Sequence, residues 1–147
     1  MKITFESTNL KEPEVIIRGD ITNEEVASLL DFLKQKSAQP AKKLVLYKED
    51  EQFIVTPNEI IYIEVTDSKV EAVTLTDRYD TKRKLYEIKD MLSNEPFAQI
   101  NKGTLVNIDF VKSVQAEFSG NYSMRLKDSK EILIISRKYF KEFKSKI

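Results

Sequence analysis

The sequence contains no cysteine and no histidine among its 147 residues. Disulfide bonds, zinc sites built from cysteine or histidine, thiol nucleophiles and imidazole bases are therefore excluded. Only three glycines are present, and they are too scattered to form a glycine-rich phosphate loop. The carboxylates show no spacing that is typical of a metal site or of a catalytic acid–base pair. We therefore expect a protein that is not an enzyme and that needs no cofactor or metal.

Long apolar runs are also missing. No stretch approaches the roughly 20 apolar residues that a membrane-spanning helix needs, and the opening segment MKITFESTNL lacks the apolar centre of a signal peptide. The length suits one domain, or one domain with an extension, and 41% of the residues are apolar. We expect a folded protein in the cytoplasm.

The net charge is zero, but the charges are unevenly distributed along the chain. From residue 98 onward ten basic residues stand against five acidic ones, whereas residues 1–52 contain eight basic and ten acidic residues. This asymmetry is typical of a neutral protein with a locally basic binding face in its C-terminal part. Solvated surface lysines would produce the same pattern, so the charge alone does not identify a function.

The first 52 residues predict a small αβ extension. KITFE and EVIIR are typical of short strands, and LVLY and FIVT predict two more after the break at PAKK. Between them, Thr22 followed by Glu25 forms a capping-box pattern. The apolar residues of TNEEVASLLDFLKQKS fall on one face of the helix that this pattern would begin.

Residues 53–147 predict a mainly β domain of the α+β class, with antiparallel strands and few helices. The expected strands lie in EIIYIEV, VEAVTLT, VKSVQAEF, SMRLK and ILIIS, with turns at TDSK, DRYD, SGNY and DSKE. One helix is expected in TKRKLYEIKDML and another in SRKYFKEFKSKI, capped by Ser136. Six aromatic residues have apolar neighbours at strand or helix spacing and are predicted to lie in the core: Tyr62, Phe97, Phe110, Phe118, Tyr139 and Phe143.

The stretch FAQINKGTLVN, which begins at Phe97, interrupts an apolar pattern with a polar cluster and then resumes it. It resembles the central motif of LytTR-type DNA-binding domains, F-x-R-I-H-R-S-x-L-V-N. EIIYIEV resembles the opening strand of that family, YDTKRKLYEIKDML its helix entry, and ILIISRKYFKEFK its closing V-S-R-x-Y segment. Four matches in the same order cover about residues 53–147, and the chain looks most like the stand-alone bacterial members with a short N-terminal extension.

The resemblance implies stacked antiparallel sheets with short helices, and loops that enter adjacent major grooves of double-stranded DNA. It therefore implies a sequence-specific transcription regulator. Lys102 and Arg137 fall on family positions that contact bases, and lysine, like arginine, donates to guanine O6 or N7. Lys127 and Lys138 fall where the family contacts the DNA backbone.

Three further residues match contact positions of the family. Lys69, near the loop after YIEV, corresponds to a third contact. Asn101 stands where the family often has His or Ser, and it would read adenine or bind phosphate. Gly103 replaces a frequent serine whose hydroxyl would reach phosphate. Its backbone N–H would donate to phosphate instead, or the glycine merely allows the turn to form.

The resemblance also implies partners. We expect paired sites on double-stranded DNA, a homodimer at least on DNA, and an inhibitory membrane protein encoded nearby. The alternative is a protein-interaction module that has kept this fold and lost DNA binding. A basic ridge that joins Lys69, Lys102 and Arg137 would favour the regulator, whereas scattered charges would favour the module.

Overall fold

The computed structural model of the protein describes residues 1–9, 13–38 and 42–147. The chain divides into two compact units, Met1–Pro40 and Ala41–Ile147. None of the helices in these described ranges has the length and apolar character needed to span a membrane.

In the first unit, helix α1 spans Glu24–Ala38. The predicted capping residue is one position off, because the Asn23 side-chain oxygen accepts a hydrogen bond from the Glu25 amide at 2.9 Å. Thr22 instead donates its amide and its hydroxyl to Asp20, at 2.9 and 2.6 Å. Asn at the N-cap competes well with Thr, and it stands directly before the first helical residue.

The strands predicted in KITFE and EVIIR are wrong, since residues 1–9 and 13–18 contain no strand. Their apolar side chains are largely exposed, with Phe5 at 91% and Val15 at 66%. A short apolar segment becomes a strand only when a neighbouring strand supplies hydrogen-bond partners, and among the described residues none pairs with these segments.

The second unit contains two antiparallel sheets. The seven-stranded sheet has the order β2-β1-β5-β4-β3-β7-β6, and the three-stranded sheet has the order β10-β9-β8. The strands are β1 Leu44–Lys48, β2 Glu51–Val55, β3 Ile60–Thr66, β4 Lys69–Thr74, β5 Arg78–Thr81, β6 Phe97–Asn101, β7 Thr104–Asn107, β8 Val111–Ala116, β9 Tyr122–Leu126 and β10 Ile132–Ile135. The helices are α2 Leu85–Met91 and α3 Arg137–Ser145, with short 3-10 helices at Pro57–Glu59 and Ile108–Phe110. The predicted α+β class with stacked antiparallel sheets is confirmed.

The predicted turn at DRYD is a strand instead. The chain turns earlier, where the Thr74 amide donates to the Asp77 carbonyl at 2.9 Å and the Thr74 hydroxyl accepts from the Asp77 amide at 3.1 Å. Residues 78–81 can then pair with β4 on one side and with Tyr47 of β1 on the other. Local turn chemistry therefore decides where β5 begins.

The core has two layers, one on each face of the seven-stranded sheet. One layer packs β-strand side chains such as Ile63 and Leu105 against Ile88 of α2. The other packs Val106 and Ile100 against the three-stranded sheet and against Phe143 of α3. β3 begins with four consecutive buried residues because both of its faces are covered.

The aromatic residues follow the prediction with one exception. Tyr62, Phe97 and Phe143 are buried, and Phe110 and Tyr139 are half-buried. Phe118, in contrast, is fully exposed at 110%. The strand that was expected to bury Phe118 ends at Ala116, so the phenyl ring stands in the turn beyond the sheet.

The predicted division between residues 52 and 53 falls inside β2, while the compact unit begins at residue 41. The β1–β2 hairpin pairs with β5 between Tyr47 and Asp80 and thus belongs to the seven-stranded sheet. That residues 53–147 form the DNA-binding part and residues 1–52 an extension stays a prediction about function.

Candidate nucleic-acid interface

Lys102 stands at the tip of a tight turn between β6 and β7. The turn is braced on both sides, because the Gly103 carbonyl accepts from the Val65 amide at 2.8 Å and the Lys102 carbonyl accepts from the Gln99 side chain at 3.3 Å. Lys102 itself is exposed. A hydrogen-bonded backbone thus presents an exposed cationic side chain to solvent.

Asn101 ties this turn to the second sheet. Its side-chain oxygen accepts from the Gly103 amide at 2.9 Å, and its side-chain nitrogen donates to the Ile134 carbonyl of β10 at 2.9 Å. The Ser136 amide also donates to the Ile100 carbonyl at 2.8 Å. The side-chain groups of Asn101 and the N–H of Gly103 are therefore occupied within the protein.

Gly103 is not required by backbone strain. A Cβ at this position would lie 3.6 Å from the Cβ of Val65, which is ordinary van der Waals contact. The turn would therefore accept alanine.

Lys69 follows the two-residue turn between β3 and β4. Both turn residues have positive φ, 49° at Asp67 and 67° at Ser68, as tight hairpins require. β3 pairs with β7 through Glu64 and Thr104, so this turn lies at the same end of the sheet as the Lys102 turn. Lys69 is exposed there.

Arg137 is the first residue of α3 and lies beside the β8–β9 turn. Its amide donates to the side-chain oxygen of Asn121 at 3.2 Å. A Cβ on Gly120 would lie 3.4 Å from the guanidinium, and Gly120 has φ +88°, so glycine serves both the turn and the close approach. Ser136 occupies the predicted N-cap position, but its buried hydroxyl has no hydrogen-bond partner among the described residues.

Three predicted contact residues therefore share one end of the two sheets. We call this end the loop edge; it comprises the turns 67–68, 102–103 and 117–121 and the first turn of α3. Lys69, Lys102 and Arg137 are exposed there, and within the described chain none of them forms an ion pair. Lys138, also exposed, follows Arg137, with its ammonium 5.8 Å from the ring centre of Tyr139.

Lys127 lies elsewhere. It follows β9 at the end away from Asn121, about 16 Å along the five-residue strand. Its amide donates to the Phe110 carbonyl at 2.7 Å and its ammonium to the Asp109 carbonyl at 3.0 Å. The structure thus brings together six of the seven predicted residues and leaves Lys127 apart.

The end that holds Lys127 is the opposite edge, formed by the turns 49–50, 75–77 and 127–131 and the connection 108–110. Several of its charged and polar groups are bonded within the protein: Lys48 pairs with Asp77, and the Tyr62 hydroxyl donates to Glu131. Burial and then the bond to Glu131 raise the pKa of Tyr62. Asn107, fully buried, donates to the Ile60 carbonyl at 2.9 Å and accepts from the Asp109 amide at 3.0 Å.

Three cations near the loop edge were not predicted from the sequence to contact DNA. Lys82, Arg83 and Lys84 follow β5, which is aligned with Lys69 because Val70 pairs with Thr81. The three consecutive cations of KRK were visible in the sequence, but only the sheet register places them beside Lys69. No group of side chains suited to holding a metal ion occurs in the described ranges.

Comparison with known proteins identifies the class to which this geometry belongs. The family model described as the LytTr DNA-binding domain matches residues 50–147. The chain therefore belongs to the LytTR family of DNA-binding domains, as the four sequence motifs predicted.

Individual relatives agree with this assignment. The chain is 27% identical over 143 residues to an uncharacterized HTH-type transcriptional regulator of Staphylococcus aureus strain NCTC 8325, covering 97% of this chain and 95% of that protein. It is 30% identical over 111 residues to the sensory transduction protein LytT of Bacillus subtilis, covering 76% of this chain and 46% of LytT. The solved LytTr DNA-binding domain of a Bacillus cereus protein, described as a methyl-accepting/DNA response regulator, superimposes with a TM-score of 0.67. That match has 19% identity and covers 73% of this chain and 97% of the solved one, so it shows the fold.

Proposed function

We propose that this protein is a sequence-specific transcription regulator that reads double-stranded DNA through its loop edge, in the cytoplasm. The observation that carries the proposal is the gathering of Lys69, Lys102 and Arg137, from three separate segments, at one rigid edge. Its membership of a DNA-binding family and its similarity to proteins named as transcriptional regulators support the same function.

The spacing of the turns suits a major groove. In the order β4-β3-β7-β6, the turns before Lys69 and around Lys102 are separated by two strand spacings, or about 10 Å. The major groove is about 12 Å wide, so neighbouring turns reach its bases and its bordering phosphates together. We assign base contacts to Lys102 and Arg137, a third contact to Lys69, and a backbone contact to Lys138.

Asn101 and Gly103 have a different role in this proposal. Because their hydrogen-bonding groups are engaged with each other and with Ile134, we assign them to shaping the Lys102 turn rather than to reading DNA. Asn101→Ala would then weaken DNA binding by loosening the turn. Gly103→Ala, which fits sterically, would leave binding nearly unchanged.

Selection of bound sequences from a random pool of duplex DNA tests the function directly. We expect enrichment of one short consensus by the wild-type protein and loss of that enrichment in Lys102→Ala/Arg137→Ala. An absence of enrichment for the wild type would contradict the proposal and would favour the protein-interaction module.

We further propose that two copies bind two half-sites on one face of DNA. One domain of this size contacts only a few base pairs, and a second copy adds affinity when the half-sites are a whole number of turns apart. Inserting about half a helical turn, roughly 5 base pairs, between the half-sites should abolish tight binding. A whole-turn insertion is the control, and equal affinity for both spacings would contradict pairing.

The N-terminal extension, residues 1–52, is proposed to serve folding or regulation rather than DNA contact. Its slight acidic excess is repelled by phosphate. Deleting residues 1–40, which leaves the β1–β2 hairpin in place, should keep the selected consensus unchanged. A changed consensus would count against this assignment. The nearby membrane protein implied by the family resemblance stays a prediction.

A further inference from the structure

Four cations surround a shallow cleft beside the loop edge. Lys69, Lys82, Arg83 and Lys84 line this cleft of about 310 Å³, and Asp80 is its one acidic lining residue. We call these four residues the basic corner.

The charges of the basic corner are poorly neutralised within the described chain. Lys69 and Lys84 form no side-chain hydrogen bond or ion pair there. Arg83 meets Glu87 at 3.7 Å in an exposed pair, which is a weak interaction. Lys82 lies 4.5 Å from the ring centre of Tyr47, a contact that keeps its charge available. Like charges held this close repel one another, so an anion in the cleft would relieve them.

The sheet order sets how far the basic corner lies from the Lys102 turn. The strands run β5-β4-β3-β7-β6 between them, so the end of β5 stands about 17 Å from the β6–β7 turn. The major groove is about 12 Å wide. With the Lys102 turn in that groove, the basic corner falls beyond the base edges, at the level of the flanking phosphates.

We propose that Lys82, Arg83 and Lys84 of the basic corner bind the phosphate backbone of duplex DNA, outside the base pairs that the loop edge reads. This inference rests on the proposed function. It adds three DNA contacts that the family resemblance does not imply. Lys82, Arg83 and Lys84 would supply affinity without sequence preference, because phosphates are the same at every base pair.

The test compares Arg83→Gln/Lys84→Gln with wild type on cognate and scrambled duplexes. This variant keeps the contact of Lys82 with Tyr47. Each phosphate contact contributes about 0.9 to the slope of log affinity against log salt concentration. Referred to 1 M salt, one contact therefore raises the affinity roughly 5-fold at 0.15 M salt. We expect the slope to fall by about 2 and both duplexes to lose affinity about 25-fold, with the consensus unchanged.

The matched control is Lys112→Gln/Lys130→Gln, which removes the same charge from exposed sites near the opposite edge. Its slope should stay near that of wild type, and thermal unfolding should show that both variants are folded. Trimming the cognate duplex at the flank next to the basic corner should lower wild-type affinity and leave Arg83→Gln/Lys84→Gln unaffected.

Three outcomes would overturn the proposal. One is an unchanged salt slope in Arg83→Gln/Lys84→Gln, and another is an equal loss in the control, which would indicate a general charge effect. The third is that inorganic phosphate raises the melting temperature of wild type but not of the variant, while both bind DNA equally well. That result would indicate a site for free phosphate rather than for DNA. Failure of wild type to bind any duplex would instead contradict the proposed function.

Discussion

Both edges of the sheets carry charged side chains, but the two edges use them differently. At the opposite edge, Lys48 is paired with Asp77, and the Lys127 ammonium donates to a backbone carbonyl. At the loop edge, Lys69, Lys102 and Arg137 are exposed and form no ion pair in the part of the chain that the structure describes.

This difference separates charges that stabilise the fold from charges that are available to a ligand. The two asparagines differ in the same way: Asn107, fully buried, bonds the backbone of Ile60 and Asp109, whereas Asn101 bonds the backbone of an exposed cationic turn. Substitutions of the internally bonded residues at the opposite edge should therefore reduce stability, and substitutions of the exposed cations at the loop edge should reduce DNA binding.

The largest effect is expected from Asn107→Ala. It leaves the buried Ile60 carbonyl without its partner, at about 1–3 kcal/mol, and removes the part-buried hydrogen bond from the Asp109 amide, worth about 0.5–1.5 kcal/mol. We expect the free energy of unfolding in urea to fall by about 2–4 kcal/mol. DNA affinity should be retained at temperatures where the variant is folded. Asn94→Ala, at an exposed turn, is the control, and similar stability for both variants would contradict the division.

Next come Lys102→Ala and Arg137→Ala at the loop edge. A good base contact discriminates between base pairs by about 1–3 kcal/mol, so each variant should lose more affinity on the cognate duplex than on a scrambled one. Thermal unfolding should be unchanged, because neither side chain is buried. Titrations at several salt concentrations measure both duplexes. Equal losses on the two would mean that these residues only contact phosphate.

Lys127→Ala tests whether DNA extends to the opposite edge. If the family-based assignment of Lys127 to the backbone holds, affinity for both duplexes falls alike and the salt slope decreases by about one. The position of Lys127 instead favours a structural role, since its ammonium braces the Asp109 carbonyl. An unchanged salt slope together with a slightly lower melting temperature would show that Lys127 stabilises the fold and does not contact DNA.

The smallest effect concerns alkaline pH and Tyr62. Its pKa is raised above the ordinary value of 10.0, by burial first and then by the hydrogen bond to Glu131. The folded protein therefore keeps a proton that the unfolded chain releases above pH 10, and this contribution is lost as the pH rises through the folded-state pKa. Tyr62→Phe should show a smaller drop in unfolding free energy from neutral to alkaline pH than wild type. Tyr86→Phe, at an exposed tyrosine, should follow wild type, and parallel curves for all three would refute the assignment.

Much of this protein was predictable from local sequence. The fold class, most strands and the two helices of the second unit follow from apolar periodicity, because a side chain's direction repeats every two residues in strands and about every 3.6 in helices. The motif FAQINKGTLVN likewise identified the family that the model match to residues 50–147 confirms.

Other features depended on contacts between distant residues. Residues 2–6 and 14–18 have strand-like composition but find no partner strand among the described residues, and Phe118 has apolar neighbours but stands past the end of β8. Residues 78–81 form a strand between β4, which precedes them directly, and β1, more than 30 positions earlier.

The sequence by itself determined the family, the apolar run that is buried in β3 and the cations that a DNA-binding edge would use. Only the tertiary structure decided which of those cations share an edge: it aligned KRK with Lys69, engaged Asn101 inside the protein and placed Lys127 at the far end of β9. The physical reason is register. Hydrogen bonds between strands set which residues lie side by side, and strand pairing joins positions that no local pattern connects.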